Sequence, residues 1–148
     1  MSSAKALSYE TTLLVRDQCL GLHVQRAARA LGRKFDDAFR PLGLTNGQFS
    51  LLMSLNRPEP PPMGPVASLL AMDRTTLTAA LKPLERRGLV RVAKDQNDRR
   101  SRTLILTAKG RGLLARAAPI WKRTHAEIER NLSAAKLDEL RAGLIAVS

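Results

Sequence analysis

Cysteine occurs once in this chain of 148 residues, at Cys19, which excludes an intramolecular disulfide and a zinc site built on paired thiolates. Histidine occurs twice. No paired carboxylates, phosphate-binding glycine loop or Ser-His-Asp set stands beside them, so an enzyme is not expected and neither a metal nor a cofactor is called for. Aromatic side chains make up 3% of the residues. No stretch approaches the roughly 18 apolar residues of a membrane span. The opening MSSAKALSYE has neither the apolar core nor the small-residue cleavage site of a signal peptide. A reduced, cytoplasmic protein without membrane association is therefore expected. Acidic residues are scarce as well: 13 stand against 25 Lys and Arg, for a net charge of +12.

Such an excess favours polyanionic partners, nucleic acid or an anionic membrane surface, although basic surface can also serve solubility alone. Its distribution decides between them. Residues 74–102 hold nine basic side chains (Arg74, Lys82, Arg86, Arg87, Arg91, Lys94, Arg99, Arg100 and Arg102). They hold three acidic ones, Glu85, Asp95 and Asp98, so a fifth of the chain carries half of the net charge. That is a patch.

The apolar spacing Leu20, Val24, Ala27, Leu31, Phe35, Ala38 and Leu42 predicts a long amphipathic helix ended by Pro41 and Gly43. Thr45-Asn46-Gly47-Gln48 matches a capping box for a helix through Phe49, Leu52, Met53 and Leu55. The run Arg57-Pro58-Glu59-Pro60-Pro61-Pro62 must be an extended loop, either a stiff connector or a proline-recognition segment. Pro65 suits the first turn of a short helix through Val66, Ala67, Leu69 and Leu70. Asp73 is placed to cap a second helix from Arg74 to about Arg87, with Leu77, Leu81 and Leu84 on its buried face. Pro83 predicts a bend there, and Gly88 a helix end. Residues 89–94 and 102–106 are strand-like around a polar turn at 95–101, which reads as a β-hairpin. Thr107 then caps a helix weakened at its start by Gly110 and Gly112, and Ser133 opens a last one.

A short helix, a tight turn, a capped second helix and a basic hairpin outline a winged helix-turn-helix. An α-helix fits the major groove of DNA, and a hairpin of arginines beside it can follow the backbone or enter the minor groove. Ala67 holds the small position where the two helices cross, and Ala71 occupies the turn, where glycine is more usual.

Residues 73–110, DRTTLTAALKPLERRGLVRVAKDQNDRRSRTLILTAKG, resemble the recognition helix and wing of the MarR (multiple-antibiotic-resistance regulator) family. The LERRGLV stretch, the D-x-x-D-R-R-S-R wing and the LTAKG exit carry the resemblance, and PLGLTNGQFSLLMSL upstream resembles the family's second helix. The resemblance implies a mostly α-helical fold with a small β-hairpin wing. Residues 1–148 then form a single domain, with 45–107 as the DNA-binding lobe and 10–43 and 108–148 as dimerisation helices. It further implies a cytoplasmic homodimeric repressor of transcription on a pseudo-palindromic operator in double-stranded DNA. Release would follow when a small aromatic or phenolic effector, or an oxidant, acts near the dimerisation helices. One departure stands out: Ala79 follows Thr78 where many members carry an arginine, and Lys82 can replace that guanidinium only as a point charge.

On these grounds the expected DNA-contacting residues are Arg74, Thr75, Thr76, Thr78, Lys82, Arg86, Arg99, Arg100 and Arg102, with Asp98 among them. By resemblance to the family wing, Asp98 ion-pairs with Arg86 or Arg102 and orients the hairpin, while Asp95 closes the turn through its own backbone. Cys19, His23, Arg26 and Trp121 are the candidate effector-site residues. The spacing of Cys19 and His23 puts them on one helical face, which permits either an imidazole-assisted, oxidant-sensing thiolate or a buried, inert cysteine. An architectural DNA-coating protein without an effector is the rival reading of the same basic patch.

Overall fold

The computed structural model describes residues 6–148. Residues 1–5, which include the start of the stretch read for a leader and of the 1–148 domain span, lie outside that range.

Helix α1 (Tyr9–Gln18) is capped by Ser8, whose hydroxyl accepts the Thr11 amide proton at 3.3 Å. Helix α2 (Leu20–Phe39) follows at once, and Cys19 alone, in an extended conformation, separates the two. The apolar spacing did not reveal α1, because none of its residues is buried and no stripe marks a face. The stripe on α2 divides in two. Phe35 and Phe39 enter the core, whereas Leu20, Val24 and Leu31 are exposed. Phe39 stacks on Phe35 at 6.0 Å and on Phe49 at 4.6 Å, so three of the few aromatic rings meet at one place.

A 3-10 turn at Arg40–Leu42 and Gly43, at φ 64°, end this arm. Helix α3 (Asn46–Ser54) opens with the expected capping box: Thr45 accepts from the Gln48 amide, and Gln48 accepts from the Thr45 amide, each at 3.1 Å. Asp36 of α2 accepts the Asn46 amide proton at 2.7 Å and fixes the entry of α3 against α2. Helices α4 (Met63–Leu69) and α5 (Arg74–Arg86) follow. Strands β1 (Val90–Lys94) and β2 (Arg102–Leu106) pair antiparallel, from Val90 opposite Leu106 to Lys94 opposite Arg102. The proline-rich loop is stitched to the hairpin, since the Pro61 carbonyl accepts the Leu104 amide proton at 2.9 Å. Helices α6 (Ala108–Glu129) and α7 (Ala134–Ala146) complete the chain, capped by Thr107 and Ser133 as expected.

The core lies where α3, α4, α5, the hairpin and α6 converge, and Leu51, Leu52, Val66, Leu77, Leu81, Leu84, Leu89 and Leu104 are almost wholly buried in it. Both α5 and α6 run unbroken over their internal prolines, Pro83 and Pro119. Tertiary packing of three buried leucines offsets the hydrogen bond that Pro83 removes. Gly110 does more than weaken a helix. A Cβ there would collide with the Leu89 carbonyl oxygen and come within 2.7 Å of Leu106 Cδ1, so its absence lets α6 lie on the base of the hairpin. Gly112 faces open space.

Candidate nucleic-acid interface

The second helix of the helix-turn-helix is aimed by its cap and its turn. Asp73 accepts the Thr76 amide proton at 2.7 Å. The Thr76 amide and hydroxyl hold this carboxyl below its ordinary range. Ala71 adopts φ 52°, the left-handed conformation that glycine reaches more easily, and so bears the strain of the turn. Buried Ala67 admits the close crossing of α4 and α5.

With Leu77, Leu81 and Leu84 turned inward, Arg74, Thr75, Thr78, Lys82 and Arg86 form an exposed outer strip along α5. Thr76 is also exposed but is engaged with the Asp73 cap. Thr78 donates its hydroxyl proton to the Arg74 carbonyl at 2.7 Å, which leaves the lone pairs of its oxygen free to accept. Ala79 is exposed on the same helix, so the missing guanidinium leaves a gap on the surface.

The wing tip is held by its own backbone. Asp95 accepts from the Asn97 amide at 2.9 Å, the closure its position predicts. Asp98 departs from expectation. Its carboxylate accepts the Arg100 amide proton at 3.0 Å and makes no ion pair with Arg86 or Arg102. The physical reason is reach: a short side chain in a tight turn finds an amide two residues on sooner than a distant guanidinium. Arg102 is likewise turned to the tip, donating to the Arg99 and Ser101 carbonyls, each at 3.2 Å. Arg99 and Arg100 are left exposed, without a carboxylate partner among the described residues.

Arg87 belongs to the basic patch by sequence but to the scaffold by position. It donates to the Gly43 carbonyl at 2.6 Å and to the Leu42 carbonyl at 3.3 Å, tying the end of α5 to the 3-10 turn. Lys109 donates in turn to the Arg87 carbonyl at 2.7 Å. Two adjacent arginines in LERRGLV gave no sign of this, since only the helical phase turns Arg86 outward and Arg87 in.

The four effector-site candidates do not come together. Cys19 is half-buried at the joint between α1 and α2, and caps α2 instead of lying within it. His23 does reach back four residues, but its Nδ1 meets the Cys19 carbonyl at 2.7 Å. Imidazole assistance to the thiol is thus not what that spacing provides. His23 and Arg26 line an open hollow on α2. Trp121 lines another, of about 390 Å³, with Phe49, Ser50, Met53, Ser54 and Leu69, and stacks on His125 at 4.7 Å. Among the described residues no cluster of three metal-ligating side chains occurs, and no helix is long and apolar enough to cross a membrane.

Comparison with known proteins places this geometry. The MarR family model matches residues 44–101, the span from the start of α3 to the wing tip. The HTH-type transcriptional regulator TtmR of Methylorubrum extorquens (strain PA1) is 39% identical over 97 residues, 66% of this chain. That match spans 50% of TtmR's own length. The transcriptional regulator MosR of M. tuberculosis, solved in complex with DNA, is 38% identical with a TM-score of 0.76, covering 87% of this chain and 96% of MosR. The transcriptional repressor CouR, solved on a 23-mer DNA duplex, is 30% identical with a TM-score of 0.79, covering 97% of this chain and 99% of CouR. Over most of its length the chain is thus similar to regulators solved on DNA, and it belongs to the MarR family of winged-helix transcriptional regulators.

Proposed function

We propose that this protein is a homodimeric repressor that binds a pseudo-palindromic operator and is released by a small-molecule effector. Each copy lays α5 in a major groove and sets its wing along the adjacent backbone or minor groove. Half-sites then lie about one helical turn apart. One observation carries the reading: Arg74, Lys82, Arg86, Arg99 and Arg100 are exposed together around a capped helix, with no carboxylate partner among the described residues. Thr75 and Thr78 supply base-reading hydroxyls, and Arg74, Lys82, Arg86, Arg99 and Arg100 supply phosphate or minor-groove contacts. Thr76, Asp98 and Arg102 act indirectly, by holding the cap and the wing tip.

Residues 45–107 make up the DNA-binding lobe in this reading, and 10–43 and 108–148 pair the two copies. Apolar side chains left exposed by the core support that pairing: Leu14 and Val15 on α1, Leu20, Val24 and Leu31 on α2, and Leu140, Leu144 and Ile145 on α7. The apolar hollow at Trp121 lies between α6 and the α3–α4 side of the lobe. An aromatic effector wedged there would alter how the lobe is carried. Footprinting on duplexes selected from a random pool, with sedimentation of the free protein, tests the proposal. One short palindrome protected by a dimer is expected; protection spread along the duplex, or a stable monomer at micromolar concentration, overturns it.

A further inference from the structure

The basic row on α2 lies outside the residues proposed for that DNA interface. His23, Arg26, Arg29 and Arg33 wall an open hollow of about 440 Å³, with Ala27 and Ala30 beside them. None of the three arginines meets a carboxylate among the described residues. Arg26 and Arg29 are three residues apart, and Arg29 and Arg33 four, so their charges are neighbours on the helix surface and repel one another. At the end of α2, Asp37 does pair with a cation, Arg40 of the 3-10 turn. Carboxylates are used there and withheld here.

At roughly 100° per residue, the three arginines fall on the side of α2 turned away from Leu20, Val24 and Leu31. The apolar row assigned to the second copy and the cationic row thus look in different directions. Helix α2 packs chiefly on α3 and α6, whereas α5 packs on α4 and β1, so the row lies in a different part of the fold from the recognition helix and wing. We infer that this row is a binding site for a small anion carrying two or three linked phosphates, as nucleotide polyphosphates do. Guanidinium forks bind phosphate oxygens in pairs. Arg26 and Arg33 are seven residues apart, about 10 Å along the helix axis, a span that suits a chain of phosphates better than one carboxylate. Ala27 and Ala30, small side chains on the flank of the row, leave room for the anion beside the arginine arms. Binding there removes the repulsion within the row, so the free energy of association and the stability of α2 are linked. The inference stands apart from the effector reading at Trp121 and does not need it.

Calorimetric titration of the intact protein with sodium tripolyphosphate, at physiological ionic strength, tests it. Saturable binding at one site per chain is expected. The Arg26→Gln/Arg29→Gln/Arg33→Gln variant should bind about tenfold or more weakly. A wing variant, Arg99→Gln/Arg100→Gln, should stay close to the parent. Absence of binding, or a loss shared equally by both variants, overturns the site. So does a loss confined to the wing variant. The α2 variant should also keep its affinity for duplex DNA; a loss as large as that of the wing variant would assign the row to DNA instead. Circular dichroism checks that the triple variant is folded. If it is not, Arg29→Gln alone, the middle of the row, should weaken tripolyphosphate binding several-fold, and parent-like binding by it refutes the inference.

Discussion

Replacing Gly110 with alanine should destabilise the protein, while the same change two residues later should stabilise it. Both glycines lie in the first turns of α6. In an exposed helix position alanine gains about 0.5–1 kcal/mol over glycine, chiefly by narrowing the unfolded ensemble. Gly112 meets nothing within 4 Å, so Gly112→Ala should realise most of that gain. At Gly110 the new methyl would overlap the Leu89 carbonyl oxygen and press on Leu106 Cδ1 at 2.7 Å. Backbone cannot yield as a side chain can, so α6 must lift from the hairpin. Overpacking of this kind costs about 1–3 kcal/mol, and here it outweighs the helix gain. Both variants share the helix gain, so they should differ by the overpacking cost, about 1–3 kcal/mol. Urea unfolding at one fixed protein concentration measures this, with the m-value checking that the transition is unchanged. Because Leu89 precedes β1, Gly110→Ala should also weaken DNA binding in the fraction that is folded. Equal stabilities for the two variants would refute the argument, since only the predicted collision distinguishes them.

Arg99→Ala should weaken operator binding by about 1–3 kcal/mol and flatten the salt dependence, as counterion release requires; unchanged affinity and slope in mobility-shift titrations would remove Arg99 from the interface. Arg87→Ala strips the Leu42 and Gly43 carbonyls of their donor and should cost about 0.5–1.5 kcal/mol of stability, since water can reach these carbonyls; equilibrium unfolding should register this, and a variant as stable as its parent would count against the clamp. The Asp73 cap carries a depressed pKa, so its contribution is present above the ordinary carboxylate value of about 3.9 and is lost as pH falls through the lower folded value. The melting-temperature gap between the parent and Asp73→Asn should accordingly narrow from neutral pH into acid, and a constant gap would contradict the sign. Cys19→Ser should keep DNA binding and its response to hydroperoxide, because His23 turns its Nδ1 to the carbonyl of Cys19; mass spectrometry showing rapid sulfenic acid at Cys19, with reversible loss of DNA binding, would make it a redox switch.

Much of the lobe was legible because its signals are local. The capping box at Thr45 and Gln48, the cap at Asp73 and the turn at Asp95 each need only neighbours within three residues, and all three formed as their spacing predicts. What escaped notice depends on contacts distant in sequence. Arg87 finds its carbonyls more than forty residues away, and Gly110 owes its role to Leu89. Helix α1 escaped for a different reason: it buries nothing within one copy, so no apolar stripe announces it. Asp98 was assigned a distant cation by resemblance, and the turn's own amide took it first.

The stitch between Pro61 and Leu104 has a consequence for behaviour at high concentration. A two-stranded hairpin exposes edges onto which another chain can add a strand, and that is a route to aggregation. Here the loop at Pro61 and Pro62 lies against β2 and occupies that edge. Consecutive prolines carry no amide protons, so they accept from the hairpin yet offer no donor to a further strand. The same run that connects two helices therefore terminates the sheet, and one flank of an arginine-rich wing is closed to self-association.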